Sequence, residues 1–198
     1  MRKTALTVLL ATFCNGAFAD WYTDENTFLL NVGANFYLED FDAFQYGVQL
    51  NGSQTTWSAP GANGYGWDAS ASQGLWSLDG AISTSVSEDE LVIDFTGIPV
   101  TAFGGIFFAS DDAGSIVVNT DITVSLSNGT SQTFTSDGLE FLGWTGENAI
   151  QDVTLSVAQG SLTWIAADHV YTGTMIPEPA PLLALGLGLF ALAKRRAR

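Results

Sequence analysis

Apolar and polar residues alternate with a period of two over much of the middle of the chain. In one segment Ile122, Val124 and Leu126 alternate with threonine and serine, and Asn128-Gly129 separates it from a second alternating run at 130–135. Two alternating runs joined by Asn-Gly predict a β-hairpin with a type I′ turn. A second Asn-Gly pair, at 51–52, predicts another hairpin between residues 43–50 and 53–58.

Further short strands are predicted at close intervals, and no segment of the middle keeps a 3.6-residue apolar period for three turns. These strands are expected near residues 28–37, 74–78, 81–86, 90–96, 101–109, 115–119, 139–144, 150–157 and 161–172. Many short strands separated by glycine, asparagine and aspartate predict an all-β fold. We expect one antiparallel β-sandwich of the jelly-roll or lectin-like type, covering residues 20–174.

The N-terminus does not follow this pattern and has the features of an export signal. Arg2 and Lys3 precede an apolar run at 5–13, and Ala17 and Ala19 are small residues where a signal peptidase requires them. This arrangement predicts a secretory signal peptide over residues 1–19, with cleavage before Asp20.

The C-terminal segment, residues 175–198, combines three features. Pro177-Glu178-Pro179 comes first, an apolar run at 182–193 follows, and the end is basic, with Lys194, Arg195, Arg196 and Arg198. Twelve apolar residues in a helix span about 18 Å, less than the hydrocarbon core of about 30 Å. The segment therefore predicts a short apolar helix whose basic end stays in the cytoplasm.

This tail resembles the PEP-CTERM sorting signal of bacterial envelope proteins. The resemblance rests on Pro177-Glu178-Pro179, the Leu/Gly-rich segment and the Arg-rich end, and it covers about the last two dozen residues. It implies that an exosortase processes the tail at the inner membrane. It also implies a destination at the cell envelope or in an exopolysaccharide matrix, and says little about the activity of the domain.

Charge is divided sharply between the ends and the middle. The chain has 6 Lys+Arg and 21 Asp+Glu, for a net charge of −15, yet residues 20–176 contain no lysine or arginine. Nucleic-acid binding needs basic side chains that neutralise phosphates, so it is excluded for this region. Phosphate binding through Arg or a P-loop Lys and docking on an anionic membrane surface are excluded for the same reason.

Calcium is the cofactor that such an acidic domain favours, because Ca²⁺ takes carboxylate and carbonyl oxygens. Three acidic clusters are candidates, at 39–42, 88–90 and 111–112, the last being Asp111 and Asp112. Segments 99–108, 141–144, 150–156 and 167–171, with the hairpin around Asn128, also resemble a jelly-roll family often attached to PEP-CTERM tails. That resemblance implies a structural Ca²⁺ between an N-terminal acid, Glu39 or Asp42, and Asp168 on the last strand.

Aromatic residues raise the possibility of carbohydrate binding. Trp57, Tyr65, Trp67 and Trp76 lie in or beside a stretch rich in glycine, serine and alanine at 59–74, which we interpret as a long loop. Trp57, Tyr65 and Trp67 are the candidate ligand-binding residues. Loops on a rigid sandwich are common binding surfaces, and aromatic faces stack on the C–H faces of sugars. Packing in the core is the alternative for each of these residues.

Catalysis has little support in the sequence. His169 is the one histidine, and Asp168 beside it is expected to point to the opposite face of a strand, so the two should not pair. We therefore expect no catalytic residues and no enzyme. Paired carboxylates for glycoside hydrolysis remain an alternative, because the many acids could place two at the required separation.

The sequence as a whole predicts an exported, non-catalytic protein of the cell envelope or extracellular matrix. Signal peptidase and exosortase would be partners during processing, and exopolysaccharide and Ca²⁺ the expected ligands. The C-terminal helix would anchor the protein in the inner membrane, either transiently or as a retained single-pass anchor. Two alternatives stay open: a jelly-roll glycoside hydrolase or polysaccharide lyase, and a purely structural surface protein.

Overall fold

The computed structural model describes residues 19–160 and 162–177. The predicted apolar helix at 182–193 and most of the signal peptide lie outside them. The described residues form fourteen strands and one short helix: β1 Ala19–Tyr22, α1 Glu25–Leu29, β2 Tyr37–Glu39, β3 Thr56–Ser58, β4 Tyr65–Ser70, β5 Leu75–Leu78, β6 Ala81–Thr84, β7 Leu91–Gly97, β8 Val100–Ser110, β9 Ile116–Val117, β10 Thr120–Leu126, β11 Ser131–Ser136, β12 Glu140–Ile150, β13 Asp152–Val157 and β14 Trp164–Gly173.

The strands make two antiparallel sheets. The first sheet has the order β1-β12-β8-β14-β6-β5, with β2 paired to β14 and β9 paired to β8. The second sheet has the order β11-β10-β13-β7-β4-β3. The predicted all-β, antiparallel sandwich is confirmed. In the described part of the chain no helix has the length and apolar character needed to cross a membrane.

One large core fills the space between the two sheets. Alternate residues of β10 are buried, as the period-two pattern predicts, and the same holds for β13. The largest buried side chains include Trp67 from the second sheet and Trp144, Phe103 and Phe107 from the first. The aromatic content of the chain is thus concentrated in the interior.

The outer faces of the two sheets differ. Two small apolar clusters cover the outer face of the first sheet, and they are built around Phe28 and Phe108 respectively. The outer face of the second sheet carries hydroxyl and carboxylate side chains instead, such as Thr123, Thr133 and Asp94. Consequently, the central strands β8 and β14 are buried on both faces.

The hairpin predicted around Asn128-Gly129 is present, but its turn is not type I′. Strands β10 and β11 pair antiparallel, with Thr123 opposite Thr133. A type I′ turn needs positive φ at both central residues, and only Gly129 has one, at 86°. The Gly129 N–H donates to the Leu126 carbonyl, which gives the three-residue loop in which glycine follows a tight turn.

The hairpin predicted around Asn51-Gly52 is wrong. Residues 43–50 form no strand, and their backbone follows the edge strand β5: Gly47 N–H donates to Ser77 O and Gly52 N–H to Leu75 O. Pairing with the edge strand β5 satisfies these backbone groups without a local hairpin. The chain then crosses to the second sheet and continues as β3.

The strand predicted at 28–37 is also largely wrong, because α1 occupies its beginning. Asp24 caps this helix: its carboxylate accepts hydrogen bonds from the Thr27 N–H at 2.8 Å and from the Thr27 hydroxyl at 2.6 Å. An aspartate at the cap position favours a helix start. The helix directs Phe28 onto the first sheet, where the side chain is fully buried.

The sheet registers place the two ends of the domain together. Asp20, Thr145, Ala102 and Gly173 lie in one row across the first sheet, on strands β1, β12, β8 and β14. Trp164, opposite Ser110, lies at the other end of β14. The described chain therefore enters and leaves at one end of this sheet.

Candidate functional site

The aromatic residues predicted to bind ligand are packing residues. Residues 59–74 are not a long loop, since they contain β4, which turns Tyr65 and Trp67 inward with 6% and 1% of their surfaces exposed. Trp57 is half-buried, and its ring centroid lies 5.4 Å from that of Trp67 and 5.2 Å from that of Phe44. The expected exposed position is therefore wrong for Tyr65 and Trp67.

The carboxylates predicted to hold calcium do not converge. Among residues 19–160 and 162–177, no three histidine, cysteine, aspartate or glutamate side chains lie close enough to hold a metal ion. Glu39 accepts hydrogen bonds from the Tyr37 hydroxyl and the Phe41 N–H, while Asp42 is exposed. In the described part of the chain, Glu39, Asp42 and Asp168 therefore form no cluster of three carboxylates.

Asp111 and Asp112 shape a turn. One oxygen of Asp111 accepts hydrogen bonds from the Ala113 and Ser115 N–H groups, at 2.9 and 2.8 Å, and the Asp112 carbonyl accepts one from the Tyr46 hydroxyl. The cluster at 88–90 is also used locally, because Glu88 accepts from the Leu162 N–H and Asp89 from Ser72 and Gln73. Carboxylates accepting backbone hydrogen bonds explain these loop conformations.

Asp168 and His169 do form a pair, contrary to expectation. A β-bulge interrupts β14 here: Asp168 faces Ile106 and Tyr171 faces Gly104, so two residues oppose one. His169 has a φ of 47°, and its Nδ1 lies 2.9 Å from Oδ2 of Asp168. The left-handed backbone breaks the alternation on which the prediction relied.

This pair is more exposed on the histidine side than on the aspartate side. Burial raises the pKa of Asp168, and its hydrogen bonds and charge interaction with His169 lower the pKa in part. The His169 N–H also donates to Oδ1 of Asp168 at 2.6 Å. These contacts stabilise the bulge at the outer face of the first sheet.

Only three of the residues expected for export and sorting belong to the described region, and they lie at its ends. Ala19 and Asp20 begin β1, where they pair with Gly146 and Thr145. Pro177 is the last described residue. Ala17, Glu178, Pro179, Lys194, Arg195 and Arg196 lie outside the described residues.

The strongest candidate site is a cavity of about 250 Å³ on the outer face of the first sheet, which we call the aromatic cavity. Three aromatic side chains line it, from the loop before β3, from β5 and from the start of β14: Tyr46, Trp76 and Trp164. Neither tryptophan is buried, and 45% of Tyr46 is exposed. Their rings are therefore accessible from solvent.

Glycine allows the aromatic residues to sit this close together. The rings of Tyr46 and Trp76 meet edge to face with centroids 5.8 Å apart. A Cβ on Gly47 would lie 2.8 Å from the Trp76 ring, and one on Gly114 would lie 2.9 Å from the Tyr46 ring. The Tyr46 N–H also donates to Asp79 Oδ1 at 2.9 Å, which fixes the loop that carries the ring.

Polar groups complete the aromatic cavity. The remaining lining includes Leu78 and Gly114, the hydroxyl residues Ser83, Thr84, Ser85 and Ser110, and the acids Asp111 and Asp112. Only Oδ1 of Asp111 is engaged in its turn, so the other oxygen can accept a hydrogen bond from a ligand. The cavity therefore offers a ligand aromatic faces for stacking and hydroxyl and carboxylate groups for hydrogen bonding. None of its described lining side chains is positively charged.

A second cavity of about 280 Å³, which we call the acidic cavity, lies next to the first. The two share Tyr46, Leu78 and Gly114 as lining. Asp79 and Asp168 also line the acidic cavity, with the exposed side chains of Ile116 and Leu139. Tyr46 thus stands between two adjacent depressions on one face of the sheet.

No protein-family model, curated protein or solved structure matches this chain.

The residues of this site can be read from the sequence, but the sequence does not show that they lie close together in the fold. Tyr46, Trp76 and Trp164 are far apart along the chain, and the order β14-β6-β5 with the loop beside β5 brings them together. Of the three, only Trp76 is among the aromatic residues that the sequence places in or beside the stretch at 59–74, and the alternation in its strand predicts which way it points. It lies between the buried residues Leu75 and Ser77, so the alternation places it on the opposite face.

Proposed function

We propose that this protein is an exported, non-catalytic polysaccharide-binding protein, and that the aromatic cavity is its binding site. The observation that carries the proposal is the group of three accessible aromatic side chains, Tyr46, Trp76 and Trp164, around one cavity with hydroxyl and carboxylate lining. Ligand sites are concave, largely apolar and equipped with a few polar groups. This cavity is concave and aromatic, and its share of polar lining is larger than that of a typical site.

The chemistry of the lining favours a sugar over other ligands. The C–H faces of a pyranose ring pack on aromatic faces, while its hydroxyls donate to carboxylates and exchange hydrogen bonds with serine and threonine. Charged phosphate ligands are disfavoured, because residues 20–176 contain no lysine or arginine. An exopolysaccharide chain can pack its sugar rings on the aromatic faces and donate its hydroxyls to the polar lining, and it needs no basic side chain to bind.

A jelly-roll topology is part of this proposal. When the eight principal strands β6, β7, β8, β10, β11, β12, β13 and β14 are counted from one to eight, the sheet orders become 1-8-3-6 and 2-7-4-5. Two Greek keys wound together produce this order. The strand order therefore supports the jelly-roll type that the sequence resemblance implies.

We also propose that the tail acts as a PEP-CTERM sorting signal, which an exosortase processes at the inner membrane. The support is the sequence of residues 176–198 together with the signal peptide at the N-terminus. The position of the cavity is compatible with display at the envelope, because the aromatic cavity lies at the end of β14 away from Gly173.

Binding of the full chain to a panel of polysaccharides tests the proposed function. We expect at least one polysaccharide to bind, and Trp164→Ala to weaken that binding about tenfold or more, since an exposed aromatic contact is lost. Trp57→Ala is the matched control on the other sheet, and it should leave the affinity of the folded protein unchanged. Melting curves of both variants separate loss of binding from loss of folding.

Two results would contradict the proposal. One is the absence of binding to every polysaccharide in the panel, including one from the organism that makes the protein. The other is binding that Trp57→Ala weakens and Trp164→Ala does not, which would place the site near the residues expected from the sequence.

A further inference from the structure

The aromatic cavity does not end at Tyr46. The acidic cavity continues along the same face, and the two share Tyr46, Leu78 and Gly114. At about 250 and 280 Å³, each alone falls below the range of about 300–1,000 Å³ that is usual for ligand sites. Together they fall within it.

The two cavities offer different contacts. The aromatic cavity presents Trp76 and Trp164, which suit the flat face of a ring. The acidic cavity presents Asp79 and Asp168 beside the exposed aliphatic side chains of Ile116 and Leu139. Oδ1 of Asp79 accepts a hydrogen bond from the Tyr46 N–H, so its second oxygen is available to a hydroxyl donor.

Charge defines which sugars fit. Asp111 and Asp112 line the first cavity, Asp79 and Asp168 line the second, and no lysine or arginine occurs between residues 20 and 176. A uronate, sulfate or phosphate group on the ligand would meet like charges, because no basic side chain of the described residues lines either cavity to neutralise it. Hydroxyl groups would find acceptors throughout.

We propose that the ligand is an uncharged oligosaccharide segment that occupies both cavities, passing over Tyr46. This inference rests on the proposed function and adds the ligand's class and length. One sugar stacks against Trp76 and Trp164, and a neighbouring part of the same chain donates hydroxyls to Asp79 and Asp168. Acidic polysaccharides are rejected at both positions.

A length series tests this directly. The full chain is titrated calorimetrically with malto-, cello- and laminari-oligosaccharides of one to six units and with oligogalacturonates of matched length, in a detergent that has no sugar headgroup. For at least one neutral series we expect affinity to rise about tenfold or more with length and then to level off. Oligogalacturonates should bind at least about tenfold more weakly.

A variant that fills only the acidic cavity tests whether the gain in affinity with ligand length arises there. Ala113 is an exposed residue lining that cavity, and Ala113→Phe should remove the length dependence, so that long oligosaccharides bind no better than short ones. Ala158→Phe, at an exposed alanine elsewhere, is the matched control and should keep the full length dependence.

The outcomes separate the two proposals. If no sugar or polysaccharide binds, the proposed function fails. If short ligands bind with no gain in affinity with length, or if Ala113→Phe leaves that gain intact, only the two-cavity inference fails. Equal or tighter binding of oligogalacturonates would overturn the uncharged class.

Discussion

The outer faces of the two sheets show how similar strands can produce different surfaces. The first sheet is covered by Phe28 and Phe108 with their neighbours, and it carries the aromatic cavity. The second sheet exposes rows of threonine, serine and aspartate, and a cavity of about 690 Å³ beside it has no aromatic residue among its described lining. A larger cavity is therefore not a better site, because stacking needs aromatic faces.

The sequence pattern of the strands explains the difference. In β10 and β13 polar residues alternate strictly with buried ones, so one face stays in water. In β8 and β14 nearly every residue is buried, and a second layer must cover the outer face. The α1 helix and the loop carrying Tyr46 form parts of that layer. The aromatic cavity lies where the layer is interrupted.

The largest expected effect comes from removing part of that layer. Phe28→Ala should lower the free energy of unfolding by about 3–5 kcal/mol, because a fully buried ring is lost and leaves a cavity. Thr133→Ala on the second sheet is the control, with an expected loss below about 1 kcal/mol. Urea denaturation measures both, and equal losses would show that the two outer faces contribute alike.

A smaller effect should follow from adding a methyl group beneath Phe28. A Cβ on Gly143 would lie 2.6 Å from Cδ2 of Phe28, so Gly143→Ala should cost about 1–3 kcal/mol. Part of this cost should disappear in the Phe28→Ala background, because the contact with Phe28 is removed while the Phe141 ring, 2.9 Å from the same Cβ, remains. A double-mutant cycle from denaturation curves measures the coupling; additive losses would mean that Phe28 does not fill this space.

The smallest effect is expected on the bare second sheet, and it is a gain. Asp94 lies between Asp68 and Asp152 on adjacent strands; burial and then these two charges raise the pKa of its carboxyl. Asp94→Asn should stabilise the fold by about 0.2–1 kcal/mol at neutral pH, because like charges opposite one another repel. High salt should reduce the gain by screening.

The sign of the pH dependence follows from the raised pKa. The folded protein holds the Asp94 proton more tightly than the unfolded chain, so the contribution of Asp94 to wild-type stability falls as pH rises from about 3.9 through the folded pKa. The advantage of Asp94→Asn should therefore grow over this range and then stay constant. Denaturation midpoints of both proteins across pH 3–8 provide the measurement, and an advantage confined to acid pH would contradict it.

The architecture was largely accessible from the sequence because it rests on local alternation. The Asn128-Gly129 hairpin has period-two runs on both sides, and its strands pair as predicted. The same period exists in β4, where Tyr65, Trp67 and Ala69 face inward and Gly66, Asp68 and Ser70 do not. In β4 the small residues favour a loop, but the alternation of inward and outward residues predicts the strand correctly.

The candidate site was much less accessible, since it depends on strand order and on unusual backbone. Trp164 and Trp76 meet only because β14, β6 and β5 are neighbours in the sheet. The Asp168–His169 pair requires a positive φ at a residue that seldom adopts one. Neither property leaves a pattern in the local sequence, whereas the alternation of buried residues does.

Strand β14 joins the aromatic cavity to the point where the chain leaves the domain. Trp164 lines the cavity at one end, and at the other end Gly173 leads toward Pro177 and the tail, about 30 Å away. Tension between a bound polymer and a retained tail would therefore run along this strand, in shear against β8. In shear the hydrogen bonds of the β8–β14 ladder carry the load together, whereas peeling breaks them one by one. Under the proposed function, this geometry would resist pulling along β14.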